Sequence, residues 1–123
     1  MTSNEVLRAQ RFELVDSQGN VKASLSVSSE GAAVLALADG EGEVRARFTT
    51  DRDGCSSLEL LDKSGKKRAD LTTTSNGAPT LGLWDSDEKL RLELATDPAG
   101  DPSLFMWGEE GREIFSAPPP DVA

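Results

Sequence analysis

The 123-residue chain contains no histidine, no tyrosine and a single cysteine, Cys55. Without histidine it lacks the side chain most often used as a metal ligand, proton shuttle or general base near neutral pH. Without a second cysteine it cannot form an internal disulfide, and no Cys-His or Ser-Lys arrangement is present to activate a nucleophile. We therefore expect no enzyme, no cofactor, no metal and no catalytic residue, with Cys55 near the surface after a turn glycine.

Basic residues are also scarce: 13 lysines and arginines face 22 acidic residues, for a net charge of −9. This charge repels phosphate backbones and anionic lipid surfaces, so nucleic acid and membrane partners are not expected. No segment approaches the ~20 apolar residues needed to span a bilayer, and nothing near Met1 resembles a leader. The expected location is cytoplasmic.

A unit of 23 residues occurs five times without insertion or deletion. Its first turn opens at Asp16, Asp39, Asp62, Asp85 and Gly108, and closes at Gly19, Gly42, Gly65, Glu88 and Gly111. Its second turn is marked by Gly31, Gly54, Gly77 and Gly100. Apolar columns share the interval, the first being Phe12, Leu35, Leu58, Leu81 and Leu104. The pattern predicts one repeat domain over residues 1–117, followed by a proline-rich flexible tail over 118–123.

Between the turns the apolar residues alternate with polar ones, as in Leu90, Leu92 and Leu94. Alternation over short runs bounded by glycine and aspartate is typical of half-buried strands, and helical spacing is absent. Each repeat therefore contributes two strands and two tight turns. The sequence predicts an all-β antiparallel meander of about ten strands.

The first turn is predicted to be a four-residue loop, because this choice keeps the apolar side chains together. It pairs Leu14 with Val21 and Phe12 with Ala23. A three-residue loop would instead place Leu14 opposite Lys22 and split the apolar face. The four-residue loop is therefore preferred.

The second turn is predicted to be a three-residue loop over residues 29–31, formed by a type I turn and a glycine bulge. This choice pairs Leu25 with Leu35 and Val27 with Ala33. Loops of four and three residues, with two strands of about eight, account for the odd period.

These pairings predict a stagger of about one residue per strand, which corresponds to a tilt near the lower part of the 35–45° range of closed barrels. One expected architecture is thus an up-and-down barrel with the leucines inside and Lys67 as the one polar group that points inward. The other is an open sheet whose apolar face is covered by other copies, giving a prism-like dimer or trimer.

The same registers place cationic residues on both sides of two outward tryptophans: Arg68 and Lys89 beside Trp84, and Arg91 and Arg112 beside Trp107. One interpretation is a cation-π ladder that shields a solvated face. The other is an apolar patch that contacts a partner, another subunit or a sugar ring. The candidate interaction surface comprises Trp84, Phe105, Trp107, Arg68, Arg91 and Arg112.

The turn aspartates raise the question of calcium, most of all where Asp51 and Asp53 lie two residues apart. Calcium needs six to eight oxygen ligands, and the twelve-residue loop with a distal glutamate is absent. An aspartate that opens a type I turn bonds its own backbone, so the structural interpretation is favoured.

The unit Leu-x-Leu-x-Asp-x-x-Gly-x-x-Arg resembles that of uncharacterised bacterial proteins built from tandem β-hairpin repeats. One copy of the unit is carried by Leu58, Leu60, Asp62, Gly65 and Arg68. The resemblance covers residues 6–118 and implies a hairpin sheet. A fainter similarity links the chain to the YD repeats of Rhs-type shell proteins, and neither family transfers a catalytic residue.

The sequence therefore predicts a non-catalytic structural or interaction module that presents a rigid sheet within an oligomer. Its expected partners are copies of itself or another protein. The alternative is a β-barrel that binds a small apolar ligand inside, although the leucine-rich interior favours a filled core.

Overall fold

The computed structural model describes residues 5–118. Ten strands form one sheet in which each strand pairs antiparallel with its neighbours in sequence, which confirms the predicted all-β meander. The strands are β1 (Arg11–Val15), β2 (Val21–Val27), β3 (Ala33–Ala38), β4 (Val44–Thr50), β5 (Ser56–Leu61), β6 (Lys67–Thr73), β7 (Pro79–Trp84), β8 (Leu90–Thr96), β9 (Pro102–Trp107) and β10 (Glu113–Ala117).

The second turn of the repeat has the predicted form. Leu25 pairs with Leu35 and Val27 with Ala33. The N–H of Gly31 donates to the carbonyl of Ser28 at 2.9 Å, and Gly31 has a φ of 86°. Glycine is favoured here because a left-handed backbone costs an L-residue about 1–2 kcal/mol.

The first turn does not have the predicted length. The N–H of Gly19 donates to the carbonyl of Asp16 at 3.1 Å, and the N–H of Asp16 donates to the carbonyl of Asn20 at 3.0 Å. Asp16 and Asn20 therefore close a loop of three residues, like the second turn. The predicted four-residue loop is wrong.

The predicted partners beside this turn are wrong as well. Leu14 pairs with Ala23, not with Val21, and Phe12 pairs with Leu25, not with Ala23. Apolar residues still face apolar residues, because the true register differs from the predicted one by two positions and side chains alternate with a period of two.

A β-bulge just after the first turn holds the extra residue of the repeat. Val15 pairs with Val21 and Leu14 with Ala23, which leaves Lys22 without an opposing residue. The same irregularity recurs one, two and three repeats later. The bulge, not a longer loop, makes the period odd, and it directs Lys67 away from the face on which the sequence had placed it.

The sheet has no net stagger. Leu14 aligns with Ala23, and Ala23 with Leu37, which is the residue equivalent to Leu14 one repeat later. Crossing two strands thus returns to the same position of the repeat, whereas closure into a barrel requires the register to shift progressively. The sheet is open, with β1 and β10 at its edges, and the predicted closed barrel is wrong.

One side of the sheet, here named the leucine face, carries three rows of side chains that run across the strands. The row nearest the first turns is Leu14, Ala23, Leu37, Ala46, Leu60, Ala69, Leu83, Leu92, Met106 and Phe115. The middle row is Phe12, Leu25, Leu35, Phe48, Leu58, Leu71, Leu81, Leu94, Leu104 and Ala117. The outer row includes Val27, Ala33, Thr50, Ser56, Thr73 and Pro79.

A single layer of this kind has almost no interior. Among the described residues, Leu61 on the opposite face is the one buried large hydrophobic residue, at 7% exposure. The accessible surface is 9183 Å², whereas a compact globular protein of 13.1 kDa exposes about 6,400 Å². The large apolar side chains lie on a surface instead of in a core.

The C-terminal hairpin departs from the other four. Gly108 stands where earlier repeats have aspartate, and a three-residue 3₁₀ turn, Glu109–Gly111, connects β9 to β10. The last strand ends at Ala117, directly before Pro118, as expected of a residue without an N–H to donate. The rest of the predicted tail, residues 119–123, lies outside the described residues.

Candidate interaction surface

The leucine face is the largest apolar feature of the described chain. Thirteen of its large hydrophobic side chains are between 37% and 66% exposed. They are Phe12, Leu14, Leu25, Val27, Leu35, Leu37, Phe48, Leu58, Leu60, Leu71, Leu83, Leu94 and Phe115. No ionisable residue belongs to the three rows. Contiguous apolar patches beyond a few hundred Å² are rare on monomers and mark interaction sites.

The turn aspartates hold the hairpin ends in shape. Oδ1 of Asp39 accepts hydrogen bonds from the N–H groups of Glu41 at 2.9 Å and Glu43 at 3.1 Å. The same pair of bonds is made by Asp16, Asp51, Asp62, Asp85 and Asp97. Among residues 5–118, no group of three or more acidic, cysteine or histidine side chains is placed to hold a metal ion.

These bonds lower the pKa of the carboxyl groups of Asp16, Asp39, Asp62 and Asp85. In each case the leading cause is a backbone N–H that donates to the charged form, and nearby lysine or arginine charge adds to it. The aspartates thus stabilise the turns as hydrogen-bond acceptors, and the turns in return favour the ionised carboxylates.

The bulge arginines connect neighbouring hairpins. Nε of Arg68 donates to the main-chain carbonyl of Trp84 at 2.8 Å, and Arg91 donates to the carbonyl of Trp107 at 3.3 Å. Arg91 also bonds Oδ2 of Asp85 at 2.8 Å. Arg68 and Arg91 were predicted to lie beside the indole rings, and the structure places their guanidinium groups on the backbone.

The ring of Trp84 has a lysine above it instead. Nζ of Lys67 lies 4.2 Å from the ring centroid and 2.9 Å from Oδ2 of Asp70. The indole itself packs over Gly82, where an added Cβ would lie 2.6 Å from a ring carbon of Trp84. Sequence reasoning missed Lys67 and Asp70 because only the bulge brings Lys67 to this face.

Two further residues of the predicted surface, Phe105 and Trp107, lie together. The rings of Phe105 and Trp107 stack at a centroid distance of 5.7 Å and an interplanar angle of 11°. Strand β8 runs between this pair and Trp84, so the opposite face carries one aromatic pair and one separate tryptophan. Arg112 is exposed and contributes its backbone to the last turn, where its carbonyl accepts from Gly108 at 2.7 Å.

An open depression of about 760 Å³ lies at the C-terminal end of the leucine face. Leu94, Leu104 and Ala117 form its apolar floor, and Asp101 lies at its rim. It lies on the surface of an open sheet and is therefore not the enclosed barrel interior that the alternative prediction required.

The fold and these surfaces define a class: an open, single-layer antiparallel meander of hairpin repeats with one exposed apolar face. No protein-family model matches the chain, and the comparison with curated proteins finds no match. Across residues 5–118, no helix has the length and apolar character needed to cross a membrane.

Proposed function

We propose that this chain is a non-catalytic structural or interaction module that presents a rigid β-sheet within an assembly, formed with copies of itself or with another protein. One observation carries the proposal. The leucine face has thirteen half-exposed large hydrophobic residues and no charge in its rows. An uncharged apolar face of this size is best suited to burial against another protein surface.

The free energy available from covering the face is large. Burying a leucine that is already half covered contributes roughly 1 kcal/mol, and the effect is summed over many side chains. Left uncovered, the same surface favours non-specific association. An assembly in which this surface is permanently buried is therefore the favoured state.

The polar elements of the sheet support the same proposal by holding neighbouring hairpins in register. Each first turn with an aspartate is closed by two side-chain bonds, and the arginines tie one hairpin to the next. A surface that is ordered before binding loses little conformational entropy on association. The module is thus built to present a fixed pattern of side chains.

A second candidate function, binding of a small apolar ligand, is favoured by the depression beside β10. Its volume of about 760 Å³ falls within the roughly 300–1,000 Å³ of ligand sites, but ligand sites bury most of the ligand surface. An open depression on a larger apolar face is better suited to contact with a protein layer.

A matched pair of substitutions on one strand tests the proposal. Leu37 lies on the leucine face, and its neighbour Ala36 lies on the opposite face. We expect Leu37→Asp to raise the dissociation constant of the assembly, or to change the binding of a hydrophobic dye, by at least about fivefold relative to Ala36→Asp. Equal behaviour of the two variants, with both folded by circular dichroism, would overturn the proposal.

A further inference from the structure

We infer that the layer covering the leucine face is the leucine face of a second copy of this chain, packed so that leucine ridges of each copy lie in alanine valleys of the other. The inference rests on the proposed function and names its partner. It follows from the size pattern of one row of side chains.

That row alternates between large and small residues from strand to strand. Leucine occurs on the odd-numbered strands and alanine on the even-numbered ones in the first three repeats: Leu14, Ala23, Leu37, Ala46, Leu60 and Ala69. The leucines are strongly exposed, and the alanines between them are only partly exposed. This row is therefore corrugated from β1 to β6, with ridges that repeat every two strands, or about 9.6 Å at a strand spacing of about 4.8 Å. From β7 onward the row holds Leu83, Leu92, Met106 and Phe115, and the alternation ends.

The zero stagger keeps the large residues of this row at one level along the strands. Because Leu14, Leu37 and Leu60 are in register across the sheet, the ridges lie at one level and do not drift toward a strand end. A partner must offer ridges with the same spacing to fill the valleys, and protein interiors are packed without gaps of this size. A second copy, displaced by one strand, has that spacing by construction.

The area of the face is sufficient for a stable pair. Ten strands at about 4.8 Å spacing and six residues at about 3.4 Å rise give a footprint of roughly 1,000 Å² per copy. Two such faces bury roughly 2,000 Å² in total, at the boundary between standard and obligate interfaces. Face-to-face packing of two sheets whose strands are aligned to within about 30° is a common architecture.

The charge distribution permits this contact although each copy carries −9. The charged side chains lie in the turns, on the opposite face and outside the sheet, so the two copies meet through their uncharged rows. Repulsion between the copies is then long-range and is screened by salt. We expect the pair to tighten between 0.05 and about 0.5 M sodium chloride, whereas a complex with a cationic partner would weaken.

The first measurement is the mass of the purified chain by light scattering. The inference requires twice the chain mass of 13.1 kDa at micromolar concentration. A monomer overturns it, and so does a trimer, since in a three-sided prism each face would meet two others. If the chain is monomeric but Leu37→Asp still differs from Ala36→Asp in dye binding, the proposed function stands and only the identity of the partner fails.

The second measurement distinguishes ridge-in-valley packing from non-specific hydrophobic association. Filling two valleys with Ala46→Leu and Ala69→Leu makes the face more hydrophobic but removes the space for the partner's ridges. We expect the dissociation constant to rise at least tenfold. The control, Ala36→Leu with Ala95→Leu on the opposite face, should leave it unchanged.

Tighter or unaltered association of the valley variant would overturn the inference. If the double variant does not fold, Ala46→Leu alone against Ala36→Leu gives the same comparison. Reversing the change, with Leu37→Ala and Leu60→Ala, lowers the ridges and should also weaken the pair at least tenfold.

Discussion

Glu88 occupies a backbone position that the equivalent turns give to glycine. Gly19, Gly42 and Gly65 close the first turns with φ values of 82–83°, and Glu88 does so with a φ of 63°. The hydrogen bond that closes the turn is kept, because the N–H of Glu88 donates to Asp85 at 3.1 Å. The fourth hairpin therefore has the same geometry as the others with a residue that is strained in it.

Replacing this glutamate should stabilise the chain. We expect Glu88→Gly to raise the free energy of unfolding by about 1 kcal/mol, because glycine adopts the left-handed conformation without the Cβ clash. The reverse change, Gly65→Glu, should lower it by a similar amount. Urea unfolding at fixed protein concentration measures both, with Asp87→Gly in the same turn as the control. A loss of stability in Glu88→Gly would contradict the strain argument.

A second residue-scale prediction concerns Gly82, over which the ring of Trp84 packs. Gly82→Ala would place a methyl group 2.6 Å from the indole, so the ring must move and its contact with Lys67 is disturbed. We expect a loss of about 1–3 kcal/mol, typical of overpacking. In a Trp107→Phe background, the fluorescence of the remaining tryptophan should shift to longer wavelength.

A double-mutant cycle isolates the clash between a methyl group at position 82 and the Trp84 ring. With Trp84→Ala already present, the added methyl group has no ring to meet, and Gly82→Ala should cost less than about 0.5 kcal/mol. If the cost is the same with and without the indole, the effect arises from the backbone of β7 and not from the ring.

At the scale of the hairpin, the ionised turn aspartates make the sheet sensitive to acid. Their folded-state pKa values are lowered, so each contributes stability that is present above the unfolded value of about 3.9 and is lost as pH falls through the folded value. We expect the free energy of unfolding to be flat from pH 7 to about 5 and to fall below about pH 4.

One turn contains both the test and the control for this dependence. Oδ1 of Asp85 accepts from the N–H groups of Asp87 at 2.8 Å and Lys89 at 3.1 Å. Asp85→Asn should make the fall of stability below pH 4 shallower, whereas Ser86→Ala, which removes no ionisable group from the same turn, should leave that fall as in the parent chain. If the free energy of unfolding falls equally below pH 4 in all three proteins, the turn carboxylate is not the cause of the acid sensitivity.

The hairpin scale also shows what could be predicted from the sequence and what could not. Glycine or aspartate marks every turn, and alternation marks every strand, so the strand order and the second register were predictable. The first register was not, because Leu14 meets an apolar residue at either Val21 or Ala23. The choice depended on keeping Lys22 off the apolar face, and the bulge achieves this without a longer loop.

The same bulge explains why the candidate surface was only partly predictable. The sequence correctly places Trp84, Phe105 and Trp107 opposite the leucines, because alternation in β7 and β9 is regular. It does not predict where the cations bind. Nε of Arg68, at the bulge, donates to the Trp84 carbonyl at 2.8 Å. Lys67, the residue before it, lies above the ring instead.

At the scale of the whole molecule, a sheet without stagger is modular. Each hairpin pairs with its sequence neighbours, and equivalent residues align across the sheet. Nothing beyond the adjacent repeats fixes the number of strands, as in other repeat architectures. The chain length, the size of the leucine face and the number of ridges therefore change together.

Modularity predicts the outcome of removing one repeat. Deleting residues 39–61 joins Ala38 to Asp62, which preserves the phase of every turn and row, so we expect a cooperative eight-strand sheet. Its urea m-value should be about a fifth lower than that of the parent, because less surface is exposed on unfolding.

Deleting residues 39–60 instead removes one residue fewer and leaves β3 one position out of phase with the strands that follow. Since a one-residue slip exchanges the two faces of a strand, leucines of β3 would lie among polar residues of the opposite face. This variant should be roughly 2 kcal/mol or more less stable than the in-phase deletion. Equal stability of the two deletions would mean that the 23-residue register does not govern the fold, and the corrugated face would then have no fixed spacing for a partner to match.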